Sequence, residues 1–455
     1  MLTRKGECWR DPFWAARPGQ PQDENMEIGM MRYKTASLTR DRPCFSFDVR
    51  ALSLSASAPE TIYFTSIHAV YRSADAGRHW RAIDNAEVAP ERWRGAGDSN
   101  VHGNGVHCSP RDAGVVIFAA ADNGLWRSAD GGESFSPVLS GRLHHGDANA
   151  SGFDPQRPDV FYTILSEAPK ADGASGFLHR SGDAGVSFVK MGSPFGDSIP
   201  AEFSANALLL RDGAAGGREI LLGLASARRM FSAEAAGFGV AASSDEGRTW
   251  AFRNDGLDPA NRNVTALVAD PQRPARLFAG VGSTQSGGRD IAGGLYRSED
   301  GGLRWTRLAT GAVRHISAVA LSPGKPATLY LAAGGGKYSD EQYERERESR
   351  GVFRSTDGGE SWTQILAVPC AGFVAVSPRD PRVIYAISVS MNWGKHPANP
   401  GVYRSGDGGG TWQRVNHGLP INDRLVSLDF DPRDPAVIWC STSGAGFIRG
   451  REIAP

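Results

Sequence analysis

Two columns of polar side chains give this sequence its clearest chemical potential. Eight strand-like segments, each running into a Pro-containing or Gly-rich turn, can be aligned on those turns. One aligned position reads Asp48, His102, Asp147, Ser204, Asn263, His315, Cys370 and Arg424. Two residues later stand Arg50, Asn104, Asn149, Asn206, Thr265, Ser317, Gly372 and Val426. A spacing of two on an extended strand puts both positions on one side, so together they could hold an oxygen-rich ligand. Asp48, His102, Asp147 and His315 are the candidate catalytic groups. Imidazoles titrate near neutral pH and can act as acid, base or metal ligand. Two carboxylates such as Asp48 and Asp147 are what glycosidic cleavage uses, with their separation deciding between retention and inversion. Arg50, Asn104, Asn149 and Asn206 are candidate ligand-binding groups, as is His145 beside His144. No H-x-H or HExxH spacing marks a metal site, so neither metal nor cofactor is expected.

Longer polar segments add candidates. MNWGKHPANP carries Trp393, Lys395 and His396, SARRMFSAEAAGFG carries Arg228 and Arg229, and ERWRGAGDSN carries Trp93. Indole beside polar groups suits the apolar face of a sugar, and Trp93, Arg229, Trp393, Lys395 and His396 join the ligand-binding set on that ground. Each Trp packing its own loop is the alternative. The charged segment Gly334 to Arg350 could form a short helix or lid.

What must position these residues is a repeat. One octet recurs seven times, from SADAGRHW at Ser73–Trp80, through SADGGESF (Ser128–Phe135), SGDAGVSF (Ser181–Phe188), SSDEGRTW (Ser243–Trp250), SEDGGLRW (Ser298–Trp305) and STDGGESW (Ser355–Trp362), to SGDGGGTW (Ser405–Trp412). The Asp can accept hydrogen bonds from turn N–H groups, and the second Gly position supplies a positive φ. Short runs such as GLYR and GVFR enter each octet as strands. Before the octets stand strand–turn–strand units such as DPQRPDVFYTI from Asp154 and SPRDPRVIYAI from Ser377. Four strands per repeat of roughly fifty residues match one blade of an all-β propeller. Eight blades are expected over residues 46–455, with seven the alternative. The last repeat holds three strands, and residues 1–45 are expected to supply the fourth, with Met30–Leu38 as first candidate. That would leave no open sheet edge.

The octets resemble the Asp-box, or BNR, repeat of β-propellers, which sialidases, xyloglucanases and sortilin-type receptors share. In those families the boxes face away from the ligand, so the resemblance implies a structural role for the octet aspartates. It specifies fold more than activity. The Arg-Ile-Pro motif of sialidases is absent. Xyloglucanases cleave in a cleft between two propellers, and one ring of this length lacks the second. The cysteine-rich tail of sortilin-type receptors is also absent. Two functions remain. The first is a carbohydrate-active protein, glycosidase-like or lyase-like, taking an oligosaccharide or other polar small molecule at the top mouth of the channel. The second is a non-catalytic propeller that binds a protein or glycan through its loops. In a propeller the polar columns could equally form a hydrated channel whose groups satisfy one another and ordered water.

Composition agrees with a turn-rich fold: 56 Gly and 27 Pro in 455 residues, above the roughly 12% share of an average chain. Fifty basic and fifty acidic side chains balance, which argues against nucleic acid as a partner. The longest apolar runs fall short of the ~20 residues of a membrane helix. Polar residues from Glu7 onward interrupt any signal peptide, so as written the chain is expected to be cytoplasmic, or extracytoplasmic if its start is misplaced. A monomer is expected. Five cysteines without a CxxC spacing suggest neither disulfides nor zinc.

Overall fold

The computed structural model describes residues 51–65, 70–95, 101–121, 123–143, 146–166, 175–200, 203–213, 217–226, 236–286, 289–322, 328–334, 347–389, 400–419, 425–444 and 446–452, with the short strands Thr3–Arg4, Glu7–Cys8 and Met26–Glu27. Each of the seven repeats that carry an octet folds as a four-stranded antiparallel meander. Sheet one comprises Ala51–Leu54, Ile62–Thr65, Val70–Ser73 and Trp80–Ala82. The innermost strands of sheets two to eight are Val101–Cys108, Asp147–Phe153, Ser204–Asp212, Val264–Asp270, Ile316–Leu321, Ala371–Val376 and Leu425–Phe430. Sheet eight has three strands, continuing through Val437–Gly444 and Phe447–Arg451. This all-β architecture of antiparallel four-stranded sheets is that of a β-propeller. Among the described residues the helices are two short 3-10 turns, Ser140–Arg142 and Arg347–Ser349, and none is long and apolar enough to cross a membrane.

The second strand of a blade is covered on both faces, which is why runs such as Phe161–Ser166 and Leu329–Ala333 are continuously buried. Among the described residues seven apolar layers lie between sheets. Ile117, Leu125 and Phe161 join sheets two and three; Tyr162, Leu178 and Ile220 join three and four; Leu221, Val264 and Leu277 join four and five. Phe278, Ile316 and Leu329 continue to sheet six, Tyr330, Val352 and Ile384 to seven, and Tyr385, Ile387 and Leu428 to eight. The seventh layer joins eight back to two through Val106, Phe118, Trp126 and Trp439. The same seam is paired in the backbone, Val101 with Gly444 and His102 with Ser443.

Sheet one contributes to none of these layers. Its aromatics pack on each other, Phe64 on Tyr71 at 4.7 Å and on Trp80 at 4.8 Å, and its first strand, Ala51–Leu54, is exposed throughout. The expected closing strand Met30–Leu38 lies outside the described residues. Met26–Glu27 runs parallel to Trp80–Arg81 of sheet one, not beside sheet eight. Cys108, Cys370 and Cys440 are buried and form no disulfide among the described residues.

All seven octets adopt one geometry. The first Ser donates its hydroxyl to Asp Oδ1 at 2.7–2.8 Å and accepts the N–H of the fifth residue, a Gly, at 2.7–2.8 Å. Asp Oδ1 also accepts the N–H of the seventh residue at 2.9–3.0 Å. The fifth-position glycines have φ of 84–97°, a region that costs other residues free energy. Burial tends to raise the carboxyls of Asp130 and Asp245, but the hydroxyl and N–H of Ser134 and of Thr249 outweigh it and hold both at about 2. Asp75, Asp357 and Asp407 are held lower still, chiefly by the His79 N–H, the Ser361 hydroxyl and the Thr411 N–H.

Folded values below the unfolded ones mean stability that is present above about pH 4 and lost as pH falls towards 2. Asp245→Ala should therefore cost about 1–2 kcal/mol at pH 7 and much less at pH 2. Denaturant titrations of both proteins at the two pH values check this. A difference that does not shrink at low pH contradicts the carboxylate's role.

Candidate ligand site at one end of the innermost strands

The second polar column is a column of β-bulges. In sheets two to eight the pairing of the innermost strand with its neighbour slips by one residue at Asn104, Asn149, Asn206, Thr265, Ser317, Gly372 and Val426. In sheet one the corresponding position, Arg50, lies outside the described residues, and the described pairing runs from Ala51–Thr65 to Leu54–Ile62. A bulge leaves its residue out of the ladder and re-aims the side chain. Here the freed side chains bond from sheet to sheet. Asn104 Nδ2 donates to Asn149 Oδ1 at 2.5 Å, and Asn149 Nδ2 donates to Ser204 Oγ at 3.2 Å. Ser204 Oγ donates to Asn206 Oδ1 at 2.6 Å, and Asn206 Nδ2 to the Val264 carbonyl at 3.2 Å. Thr265 Oγ1 reaches the Ile316 carbonyl at 2.7 Å. This belt crosses sheets two to six and engages a donor or acceptor of every one of these side chains, which makes it a brace between blades.

The first column lies two residues earlier, at a common end of the strands. Asp147 begins its strand half-buried. His102 sits opposite Ala121 and Ser443 in the backbone, its side chain lying outside the described residues. Cys370 is fully buried. His315 precedes the innermost strand of sheet six and accepts, at Nδ1, the Ser283 backbone N–H at 2.9 Å, with Ser283 Oγ at 3.0 Å. The residue as a whole is half-buried, and burial of the imidazole, aided by the Arg350 guanidinium, pushes its pKa down to about 4.

The segment carrying Ser283 is tied down from below. Asn261, 1% exposed, donates to the Gly282 carbonyl at 2.8 Å and accepts from Asn263 Nδ2 at 3.0 Å. Asn263 Oδ1 accepts the Ser226 N–H at 2.9 Å. Gly282 has to lack a side chain, since a Cβ there would lie 2.9 Å from His315 Cε1. Arg350, 6% exposed, donates to the Gly334 and Pro369 carbonyls. Asn261, Gly282, Ser283 and Arg350 were not among the sequence candidates. The Asn261–Asn263 pair directly before a strand is a visible signal, because asparagines bond local backbone there. Ser283 gives no signal, since its partner lies 32 residues away in sequence.

Trp93 corrects an expectation. The hairpin Asn85–Gly95 bonds to Phe135 at the outer edge of sheet two, and Trp93 is 3% exposed among Val106, Phe118 and Trp126, so its face is not offered to a sugar. Asp48, Arg50, His145, Arg229, Trp393, Lys395 and His396 lie outside the described residues, as does most of the Gly334–Arg350 segment. Among the described residues no group of three His, Cys, Asp or Glu side chains is placed to hold a metal ion.

No family model matches the chain. A xyloglucanase from Paenibacillus sp. is 25% identical over 344 residues, 68% of this chain and 31% of that protein, so the chain spans about a third of that relative's length. Among solved structures, YCF48 bound to a D1 peptide has a TM-score of 0.49 at 14% identity over 78% of this chain and 93% of that one. YCF48 from Cyanidioschyzon merolae has a TM-score of 0.49 at 15% identity over 77% and 95%. An ancestral GH74 enzyme has a TM-score of 0.46 at 14% identity over 88% and 58%.

Proposed function

We propose that the chain is a carbohydrate-active propeller of the Asp-box type, with a glycan site at the end of the channel marked by Asp147, His102 and His315. The observation that carries this reading is the similarity to a xyloglucanase over two thirds of the chain. The half-buried polar groups at the strand ends support it, since a concave rim of donors and acceptors suits hydroxyl-rich ligands. In this reading the ring has seven blades, sheets two to eight. Two features favour that count over eight: seven apolar layers in cyclic order among the described residues, and the seam pairing of Val101 with Gly444. An eighth blade would need Ala51–Leu54 covered by neighbouring sheets, and that strand is exposed. Sheet one is then an appendage to the ring.

The self-satisfied belt favours a second reading, a propeller that binds a glycan without cleaving it. Its asparagines brace the ring, leaving Asp147 as the described carboxylate among the four catalytic candidates. A screen of xyloglucan and other soluble polysaccharides, followed by thermal shift and by reducing-end release, separates the two. A rise in melting temperature with product release is expected, and Asp147→Ala should lower affinity or turnover at least about tenfold, a loss of about 1.4 kcal/mol. Binding without products selects the second reading. No response to any polysaccharide removes both.

A further inference from the structure

We propose that His315 serves this site as a fixed hydrogen-bond donor, offering Nε2–H to an acceptor oxygen of the ligand, and takes no part in proton transfer; this rests on the carbohydrate reading above. The argument begins with Ser283. A backbone N–H can only donate, and that of Ser283 lies 2.9 Å from His315 Nδ1. Nδ1 must therefore present its lone pair, and the neutral ring carries its proton on Nε2. Protonating Nδ1 would set N–H against N–H.

The surrounding structure enforces this state. Gly282 N–H bonds the Asn263 carbonyl at 3.0 Å, and the Gly282 carbonyl accepts from buried Asn261. Ser283 is thus held by the peptide before it, and the ring edge seats against a glycine that admits no Cβ. The nearby Arg350 charge disfavours a second cation, in line with the lowered pKa of about 4.

At neutral pH such a ring has no free lone pair to act as a base and no imidazolium proton to give as an acid. What remains is Nε2–H, which has no partner among the described residues. The ligand group it selects is an acceptor: a sugar hydroxyl, a ring or glycosidic oxygen, or a carboxylate. A site built this way discriminates against analogues lacking the oxygen, because the donor is then left unpaired.

Two measurements test the proposal. With histidine-specific ¹⁵N labelling, the resonance lost in His315→Gln should show the Nε2–H tautomer and stay unchanged from pH 8 to pH 5. An Nδ1–H tautomer, or a titration centred near 6.5, overturns the fixed donor. Calorimetry with a xyloglucan-derived oligosaccharide at pH 7 then reads the donor's use. His315→Gln, which keeps an N–H donor, should bind within about threefold of the unmodified protein, and His315→Phe should lose about tenfold or more, with both variants checked for folding by circular dichroism. Unchanged binding by a folded His315→Phe overturns the proposal. If the unmodified protein does not bind the oligosaccharide, the carbohydrate reading and the ligand half of this proposal fall together, and the tautomer measurement still decides the fixed donor.

Discussion

Trp439→Ala is expected to lower stability by about 3–5 kcal/mol, the range for truncating a large buried aromatic, and to open the seam between sheets eight and two. Trp439 is 4% exposed in the second strand of sheet eight. Its ring meets Phe118 of sheet two edge-on at 5.6 Å, and it lies so close to the second octet that a Cβ on Gly132 would sit 2.3 Å from its Cη2. Val106, Cys108, Val116 and Trp126 complete the same layer. Alanine there leaves a cavity that stiff β-sheets cannot collapse into, so the cavity penalty adds to the lost transfer free energy.

What would remain across the seam is the Phe118–Phe447 ring contact at 4.7 Å, the Val106 N–H bond to Asp429 Oδ2 at 3.2 Å, the Arg449 bond to the Gly131 carbonyl at 2.8 Å, and few other ties. Two backbone pairs join Val101–His102 to Ser443–Gly444. The Arg449–Glu133 ion pair at 2.9 Å is about half exposed on both sides, and such pairs contribute little. The other six layers join sheets that follow one another in sequence, so their loss is limited by a short connection. This seam joins the last sheet to the second, and the chain offers no such tether. Denaturant unfolding reads the stability, and limited proteolysis should show new cleavage around residues 437–451. A loss below about 1 kcal/mol with an unchanged digest would mean that Trp439 does not hold sheets eight and two together, since that is the ordinary scale for a surface site.

How far the fold was legible depends on the range of the interactions involved. The octet turn was readable because its bonds span four residues: Ser, Asp and Gly at fixed offsets dictate the whole pattern. The strand–turn–strand units were readable for the same reason. Residues Asn104, Asn149, Asn206 and Thr265 were found as an aligned column, but their nature as bulges was not, because a bulge is a relation between two strands and appears only once register is known. Sheet one illustrates the limit. It carries a full octet, SADAGRHW, and so counts as a repeat, yet nothing local says whether its first strand is covered. Trp93 shows a missed signal. Arg92–Trp93–Arg94 alternates with period two, the mark of a strand with one buried face, and the neighbouring polar residues obscured it. The His315 corner depended on Ser283, contributed by the preceding blade, and only the folded arrangement brings them together.

Asp429→Asn is expected to act on the same seam with the opposite sign. Asp429 lies in the innermost strand of sheet eight, across from Trp439. Its Oδ2 accepts the Val106 N–H of sheet two at 3.2 Å, and no cation pairs with it among the described residues. The buried thiols Cys108 and Cys440 lie close enough that its charge adds to the burial that pushes both up to about 12. Burial, only partly offset by the Val106 and Ser427 bonds, raises the Asp429 carboxyl to about 6. An acid whose folded value exceeds its unfolded value of about 3.9 holds its proton better when folded. Stability therefore falls as pH rises from about 4 to 6, and the full penalty persists above that. Two units correspond to about 3 kcal/mol at most, and because the residue as a whole is only half-buried this is discounted to about 1–2 kcal/mol. Asparagine keeps an acceptor for Val106 and carries no charge. The variant should match the unmodified protein at pH 4 and exceed it by about 1–2 kcal/mol at pH 8, read by denaturant unfolding at both values. Equal stability at pH 8 would mean that the carboxylate is solvated in the folded protein. A variant weaker at every pH would mean that the Val106 bond to the charged form outweighs its burial. The octet carboxylates favour the charged form and lose stability below about pH 4, whereas this one favours the neutral form and loses stability as pH rises from about 4 to 6, so the two effects together should place the maximum near pH 4 to 5.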